Sequence, residues 1–477
     1  MVLGIEFIDI RTNERQALGI RKGFFTSPPG KRLDLTRNIV IPAFIDAHSH
    51  VINYTMKANW IDLSNVKSKR ALLNMIQETL NSRNLFLGYN FDESTWSERE
   101  FPTRREVDEV SGNKPVLLLR IDGHLAVVNS GLIEKLKLPE NMFKDFGNGI
   151  IVEDNVYIVI RKLLSKRKLG PSIKALQSLL KLGIAASADM GSIVEPSDKI
   201  KKKLSRCMEV YFYYCLESIE RQIQEGLDKT MFKYGGIITG FKLIADGSIG
   251  AKTAYLFEPY SDDPSCRGLL LIPEEHLEEL IKAANRLEAQ LAIHAIGDAA
   301  IDVVLNAYRW AKPGLRHRIE HFEMPHDDHI DKLAKCHIIP SMQPNFIANW
   351  QQRGGLYEQR LGWERAKRMN PLATILAKAG LIAFGSDNMP SDPLYGIYGA
   401  MTHPIESERL RFAEAVQCYT THAAYSIFAE NKLGELREGY VASFLALESV
   451  DIHNPKEVRN ARIQQLFVRG KKISCQA

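Results

Sequence analysis

The chain has little cysteine, and what it has forms no pattern. Its six cysteines, Cys207, Cys215, Cys266, Cys336, Cys418 and Cys475, include no C-x-x-C and no tight pair. That excludes a disulfide framework and a cysteine-built zinc site, and it fits a reducing compartment. Long apolar runs are also missing. No stretch reaches the roughly 18 apolar residues of a membrane span, so no membrane partner is expected. The opening MVLGIEFIDIRTNERQ lacks a basic segment leading into an apolar one. No secretory signal is therefore expected, and a cytoplasmic protein is the default. Neither sign of charge dominates. The 62 basic and 57 acidic residues leave a formal net charge of +5, too mild to argue for nucleic acid. The runs Lys166-Arg167-Lys168 and Lys201-Lys202-Lys203 are short and read as solvated helix ends.

What is present is ample core. Hydrophobic residues make up 45% of 477, more than one ordinary domain needs. A barrel of about 250 residues with additions fits that length. Both ends are β-patterned around turns: IEFIDI and RQALGI near the start, GELREGYVASFLALE and QQLFVRGKKIS near the finish. Between them, short apolar strands alternate with helical patterns at 41–48, 183–190, 208–215, 238–246, 290–295, 317–322, 337–343 and 381–387. Eight such repeats predict an α/β fold, a (β/α)8 barrel with a parallel sheet buried on both faces. The interval from His50 to Gly183 breaks the rhythm and holds its own strands at 85–90 and 115–121. It is too long for a βα connection. The expected organisation is a β-sandwich from 1–42 and 430–477, a barrel from 43–54 and 171–429, and an inserted α+β subdomain over 55–170 covering the catalytic end.

The chemistry sits at strand ends. His48 and His50 close the first strand, and alternate residues of a strand share a face. His294 ends QLAIHA, His321 ends HRIEHF, and Asp387 ends LIAFGSD. Neutral imidazole and carboxylate suit a divalent ion. Lys242 lies inside the apolar strand ITGFKLIAD, where an unpaired ammonium costs several kcal/mol. It must pair, lose its proton or be modified; addition of CO2 would make it an anionic bridge between ions about 3.5–4 Å apart. Parity sets Arg318 and Glu320 opposite His321, where they are expected to pair among the outer helices.

PAFIDAHSH resembles the first-strand signature of the amidohydrolase superfamily. FDESTW, FPTRREVD, LRIDGHLAVVNS, LIADGSIGAKTA, AIHAIGDAAID, RIEHFEM, FGSDNMP and the stretch from Thr421-His422 to LGELREGYVASFLAL extend the likeness. They resemble the branch that includes N-substituted formamide deformylases. The resemblance implies metal ligation by His48, His50, His294, His321 and Asp387, with Lys242 as a carboxylated bridge. One or two divalent ions, with zinc expected, would acidify a water that attacks a non-peptide C–N bond of a small molecule. Asp387 would move its proton. By the same resemblance Asp92, Glu93, Trp96 and His124 would contact substrate. Glu153 is a rival acid that reads better as a solvated loop carboxylate. Two departures stand out: Ser443 where the branch places an aspartate, and Asn345 where it often places a histidine. A homo-oligomer is compatible with all of this. Rival readings are a deaminase of a cyclic amidine and a non-catalytic metal-binding barrel.

Overall fold

Eight strands follow the apolar runs of the sequence: β1 (Phe44–Ser49), β2 (Ile184–Met190), β3 (Glu209–Tyr214), β4 (Ile238–Ile244), β5 (Gln290–Ala295), β6 (Arg318–His321), β7 (Ile339–Met342) and β8 (Ala383–Phe384). This is a computed structural model, and it describes residues 3–474 except 11, 13, 31, 58–59, 166–171, 192–197 and 226–237. The strands pair in chain order, each parallel to its neighbour. Near the ends of β8 and β1 the sheet almost closes into a barrel: the Asp387 amide donates to the His48 carbonyl at 2.7 Å. Every residue of β2 is buried, as expected of a parallel strand covered on both sides. The covering helices are amphipathic. The helix Glu274–Leu287 buries Leu277, Leu280, Ile281, Ala284 and Leu287, one stripe at helical spacing.

Arg318 and Glu320 are corrected. Both are fully buried and lie inside the barrel, not among outer helices. Arg318 reaches the Ala47 carbonyl on β1 (2.7 Å), the Ser341 hydroxyl on β7 (2.9 Å) and the Tyr213 hydroxyl on β3 (3.4 Å). Only a side chain crossing the interior meets strands that far apart. Parity does not carry through to His321, which ends β6 with a left-handed φ of +72°.

The terminal segments form two four-stranded sheets. One contains Leu3–Ile8, Arg15–Arg21, Phe24–Thr26 and Arg32–Asp34, and the other Ile39–Pro42, Phe444–Leu447, Ile463–Val468 and Lys471–Ile473. They share a core of Ile5, Phe7, Ile20, Phe25, Phe444 and Phe467, which makes a β-sandwich from both ends.

Residues 53–172 form a compact unit of their own. It carries a mixed five-stranded sheet, in the order Ile150–Val152, Leu125–Val128, Val116–Arg120, Phe86–Phe91, Ile61–Asp62, with helices including Lys69–Ser82 and Arg104–Ser111. Among the described residues, no helix is long and apolar enough to cross a membrane. Lys201 is another correction: it is buried with its ammonium on the Tyr214 hydroxyl, while Lys202 and Lys203 are exposed. Residues 166–168 lie outside the described residues.

Candidate metal centre

The site begins with an irregularity in β1. Asp46 aligns with Ser187 of β2 and Ser49 with Asp189, three residues against two. The extra residue is a bulge, which re-aims the side chains around it. The Asp46 carboxylate accepts from the Ser386 amide (2.9 Å), the Ser386 hydroxyl (2.5 Å) and the His48 amide (3.2 Å). It thus ties the segment after β8 to β1. Gly385 permits the approach, since a Cβ there would lie 2.3 Å from the His48 nitrogen. Asp387 is delivered beside both histidines with φ of +51°. Left-handed backbone at His321 and Asp387 costs about 1–3 kcal/mol each, and such strain gathers at functional sites.

Each imidazole of β1 is fixed from behind. His48 Nδ1 lies 2.5 Å from Glu320 Oε2. His50 Nδ1 lies 3.1 Å from the Gly191 carbonyl. A carbonyl can only accept, so the His50 proton sits on Nδ1; the carboxylate assigns His48 the same tautomer. Both Nε2 lone pairs then face Asp387 Oδ1, at 3.8 Å from His48 and 3.1 Å from His50. Acceptors converging on an anionic oxygen repel unless a cation lies among them or an imidazole is charged. Burial, followed by the Lys242 charge, pushes the His48 pKa well down. This is the outer-shell arrangement of a metal-ligating histidine. One donor atom each from His48, His321 and Asp387 lie within 4.8 Å of one another, close to the span allowed by bonds of about 2.0–2.2 Å to one ion. The His294 ring packs on His321, with centroids 4.4 Å apart. Its Nε2 is 3.0 Å from the Gly247 carbonyl, so His294 is beside this trio and not within it.

Residues 32–473 match the model of the Amidohydrolase family. The chain belongs to the amidohydrolase family. It is 29% identical to the protein named amidohydrolase YtcJ of Bacillus subtilis, over 94% of this chain and 91% of the other. It is 21% identical to the N-substituted formamide deformylase of Arthrobacter pascens, over 93% and 90%. A solved structure described as an uncharacterised metal-dependent hydrolase of Pyrococcus furiosus superposes with a TM-score of 0.74, at 29% identity, covering 95% of this chain and all of the other.

In this amidohydrolase Lys242 is buried and makes no ion pair among the described residues. Burial pushes its ammonium down to about 8, against the pull of Glu320 and Asp387. Asp246 adds to that pull without an ion pair, while its carboxylate accepts from the amides of Ile296 (3.0 Å), Gly297 (2.9 Å) and Tyr255 (2.9 Å). The Asp387 pKa lies below the usual carboxylate range: burial raises it, and the His50, His48 and Lys242 side chains around it lower it.

The residues predicted to contact substrate lie within the unit of residues 53–172. Glu93 is engaged structurally, both oxygens on the buried Arg120 guanidinium at 2.9 and 3.0 Å. Asp92 caps a short helical turn through the Ser94 amide (3.1 Å). Trp96 is a correction: it is packed in that unit's core, its indole N–H donating to the Val66 carbonyl at 2.9 Å. His124 Nδ1 lies 2.7 Å from Glu153 Oε2. Glu153 is buried with φ +51°, not solvated. His326, Asp328 and His329 also cluster. There the His329 Nδ1 accepts from the His326 amide (3.1 Å) and its Nε2 faces Asp302 (3.5 Å), so the ring serves the helix start.

The sequence reading missed Glu320, Asp46 and Gly191 as supports. Glu320 carried a signal: a charged pair in a strand covered on both faces has nowhere to go but the interior.

Proposed function

We propose that this amidohydrolase hydrolyses a non-peptide, amide-type C–N bond of a small molecule and depends on one or two divalent ions, zinc being favoured by imidazole donors. One observation carries the reading: His48 and His50, each held at Nδ1, aim Nε2 at Asp387 Oδ1. The family and its Pyrococcus neighbour support metal-dependent hydrolysis, and the deformylase relative supports a C–N bond.

When bound, such an ion polarises a carbonyl and lowers the pKa of its water to about 7. His48, His50, His321 and Asp387 would hold it, and His294, whose ring packs on His321, would join them only by giving up the Gly247 carbonyl. Asp387 Oδ1 takes a proton from the attacking water and passes it to the leaving nitrogen, a relay that a carboxylate kept ionised can begin. Lys242, converted to a carbamate, would add an anionic oxygen donor to the residues that hold the metal. A buried amine with a lowered pKa is neutral often enough to add to CO2, losing a proton as the N–C bond forms.

Metal analysis and a substrate screen test this. The protein purified with zinc should hold one or two ions per chain and hydrolyse some member of a set of N-acyl, N-formyl and cyclic amides. Lys242→Ala should lose metal, and added short-chain carboxylic acid should restore part of it. Metal well below one ion per chain sinks the hydrolase reading. Full metal and activity in Lys242→Ala without acid sinks the bridge alone and leaves a mononuclear site.

A further inference from the structure

Gln343 follows the last residue of β7. Its side chain is 1% exposed, yet neither Nε2 nor Oε1 has a hydrogen-bond partner among the described residues. Buried polar groups are paired in the great majority of cases, and each exception calls for a reason. An amide left wholly unpaired is costly, and an apolar side chain of similar shape would avoid that cost.

The register says where the amide points. Ser341, two residues earlier, faces the barrel interior, where it accepts from Arg318. Gln343 directly follows β7, and its φ of −116° carries on the extended backbone, so the two-residue period turns it toward the same side, one step nearer the end that carries the histidines. β7 lies between β6, which ends at His321, and β8, which leads to Asp387. The Gly385 amide donates to the Met342 carbonyl at 3.0 Å, which fixes Gln343 level with that approach. Phe346, in the short helix that follows, stacks on His321 with the ring planes 9° apart. Asn345 adds a second unmet acceptor. Its Nδ2 is spent on the carbonyls of Ser386 (2.9 Å) and Met389 (2.7 Å), and its buried Oδ1 has no partner.

We propose that Gln343 is a substrate-binding residue, and that it pairs through both carboxamide atoms with a cis amide: a lactam, a cyclic urea or imide, or a primary amide. The proposal rests on the hydrolase reading above and names the substrate class for that site. One planar group satisfies a donor and an acceptor side by side only if its own N–H and C=O lie on the same side. An acyclic secondary amide in the usual trans form holds them on opposite sides. A cis amide matches the Gln343 pair, with N–H donating to Oε1 and C=O accepting from Nε2. An N–H elsewhere on the same ligand would meet Asn345 Oδ1.

The test is a binding ratio that needs no turnover. The zinc-loaded full chain is titrated by ligand-observed NMR with 2-imidazolidinone and with its 1,3-dimethyl derivative, which keeps the carbonyl and loses both N–H groups. Wild type should bind the parent at least about 10-fold more tightly, the scale of losing one partner of a buried polar pair. Gln343→Leu should bring the ratio close to one, with an unchanged or higher Tm. A wild type that binds neither probe, or does not prefer the parent, overturns the proposal. So does a Gln343→Leu variant that keeps the ratio; a raised Tm with the ratio intact would mark an amide serving internal water only. Failure of the hydrolase reading would show instead as absent metal or turnover, whatever this ratio is.

Discussion

Replacing Glu320 separates two jobs that one carboxylate performs. It accepts from Arg318 Nε (2.7 Å) and Nη2 (2.9 Å), and its Oε2 holds His48 Nδ1 at 2.5 Å. Both members of the ion pair are fully buried. Glu320→Leu leaves the guanidinium with Ala47, Ser341 and Tyr213 but without a counter-charge. A buried charge stripped of its partner destabilises by about 3–5 kcal/mol. The double variant Arg318→Met/Glu320→Leu removes both charges, and apolar replacement of a whole buried pair is close to neutral. Most of the lost stability should therefore return in the double variant. Zinc affinity should not return, because His48 lacks its Nδ1 acceptor in both variants. Loss of such an outer partner weakens metal binding about 10–100-fold. Urea unfolding of the metal-free protein reads the first effect, and competition with a chromophoric chelator reads the second. A double variant that binds zinc as tightly as wild type would refute the claim that Glu320 aims His48. A single variant as stable as wild type would refute the uncompensated charge.

Two further predictions concern closure and pH. Gly385→Ala should cut zinc occupancy and activity sharply, because the added methyl meets His48 backbone at 2.3 Å; normal zinc occupancy measured by mass spectrometry would show that this approach is not needed. His317 is buried and its pKa is pushed down to about 4 by burial. A depressed histidine is neutral in the folded chain and charged in the unfolded one below about 6.5, so stability is fully present above 6.5 and falls as pH drops toward 4. The loss reaches about 3 kcal/mol. His317→Asn should flatten the denaturant stability between pH 6.5 and 4 by one proton, and an unchanged slope would assign that pH dependence elsewhere.

The barrel strands were legible because a parallel strand buried on both faces must be an uninterrupted apolar run, and turn signals bound each one. The ligand types were legible because they end those runs. The geometry that joins them was not. Alternation predicted that His48 and His50 share a face, but the β1 bulge and the Asp46–Ser386 tie set their directions. Alternation also sent Arg318 and Glu320 outward, because it assumed regular extended backbone at His321, the last residue of β6. In the unit of residues 53–172, resemblance could mark Glu93 and Trp96 as notable without distinguishing a binding role from a buried ion pair or a packed ring.

These failures share a physical cause. Strand parity is a property of regular backbone, and the centre lies where the backbone stops being regular. His321, Phe322, Asp387 and Asn388 all have positive φ, a conformation uncommon outside glycine and least costly for Asn, Asp and His. Such strain persists only where surrounding contacts over-determine it. Around Asp387 those contacts are its amide on the His48 carbonyl, the Asp46 tie to Ser386, and the Asn388 side chain accepting from the His50 amide at 2.7 Å. Each joins the end of β8 to the end of β1, the first and last strands of the barrel. Positioning of Asp387 against His48 and His50 is thus coupled to closure of the sheet, and a change that loosens closure should cost metal binding before it costs the fold.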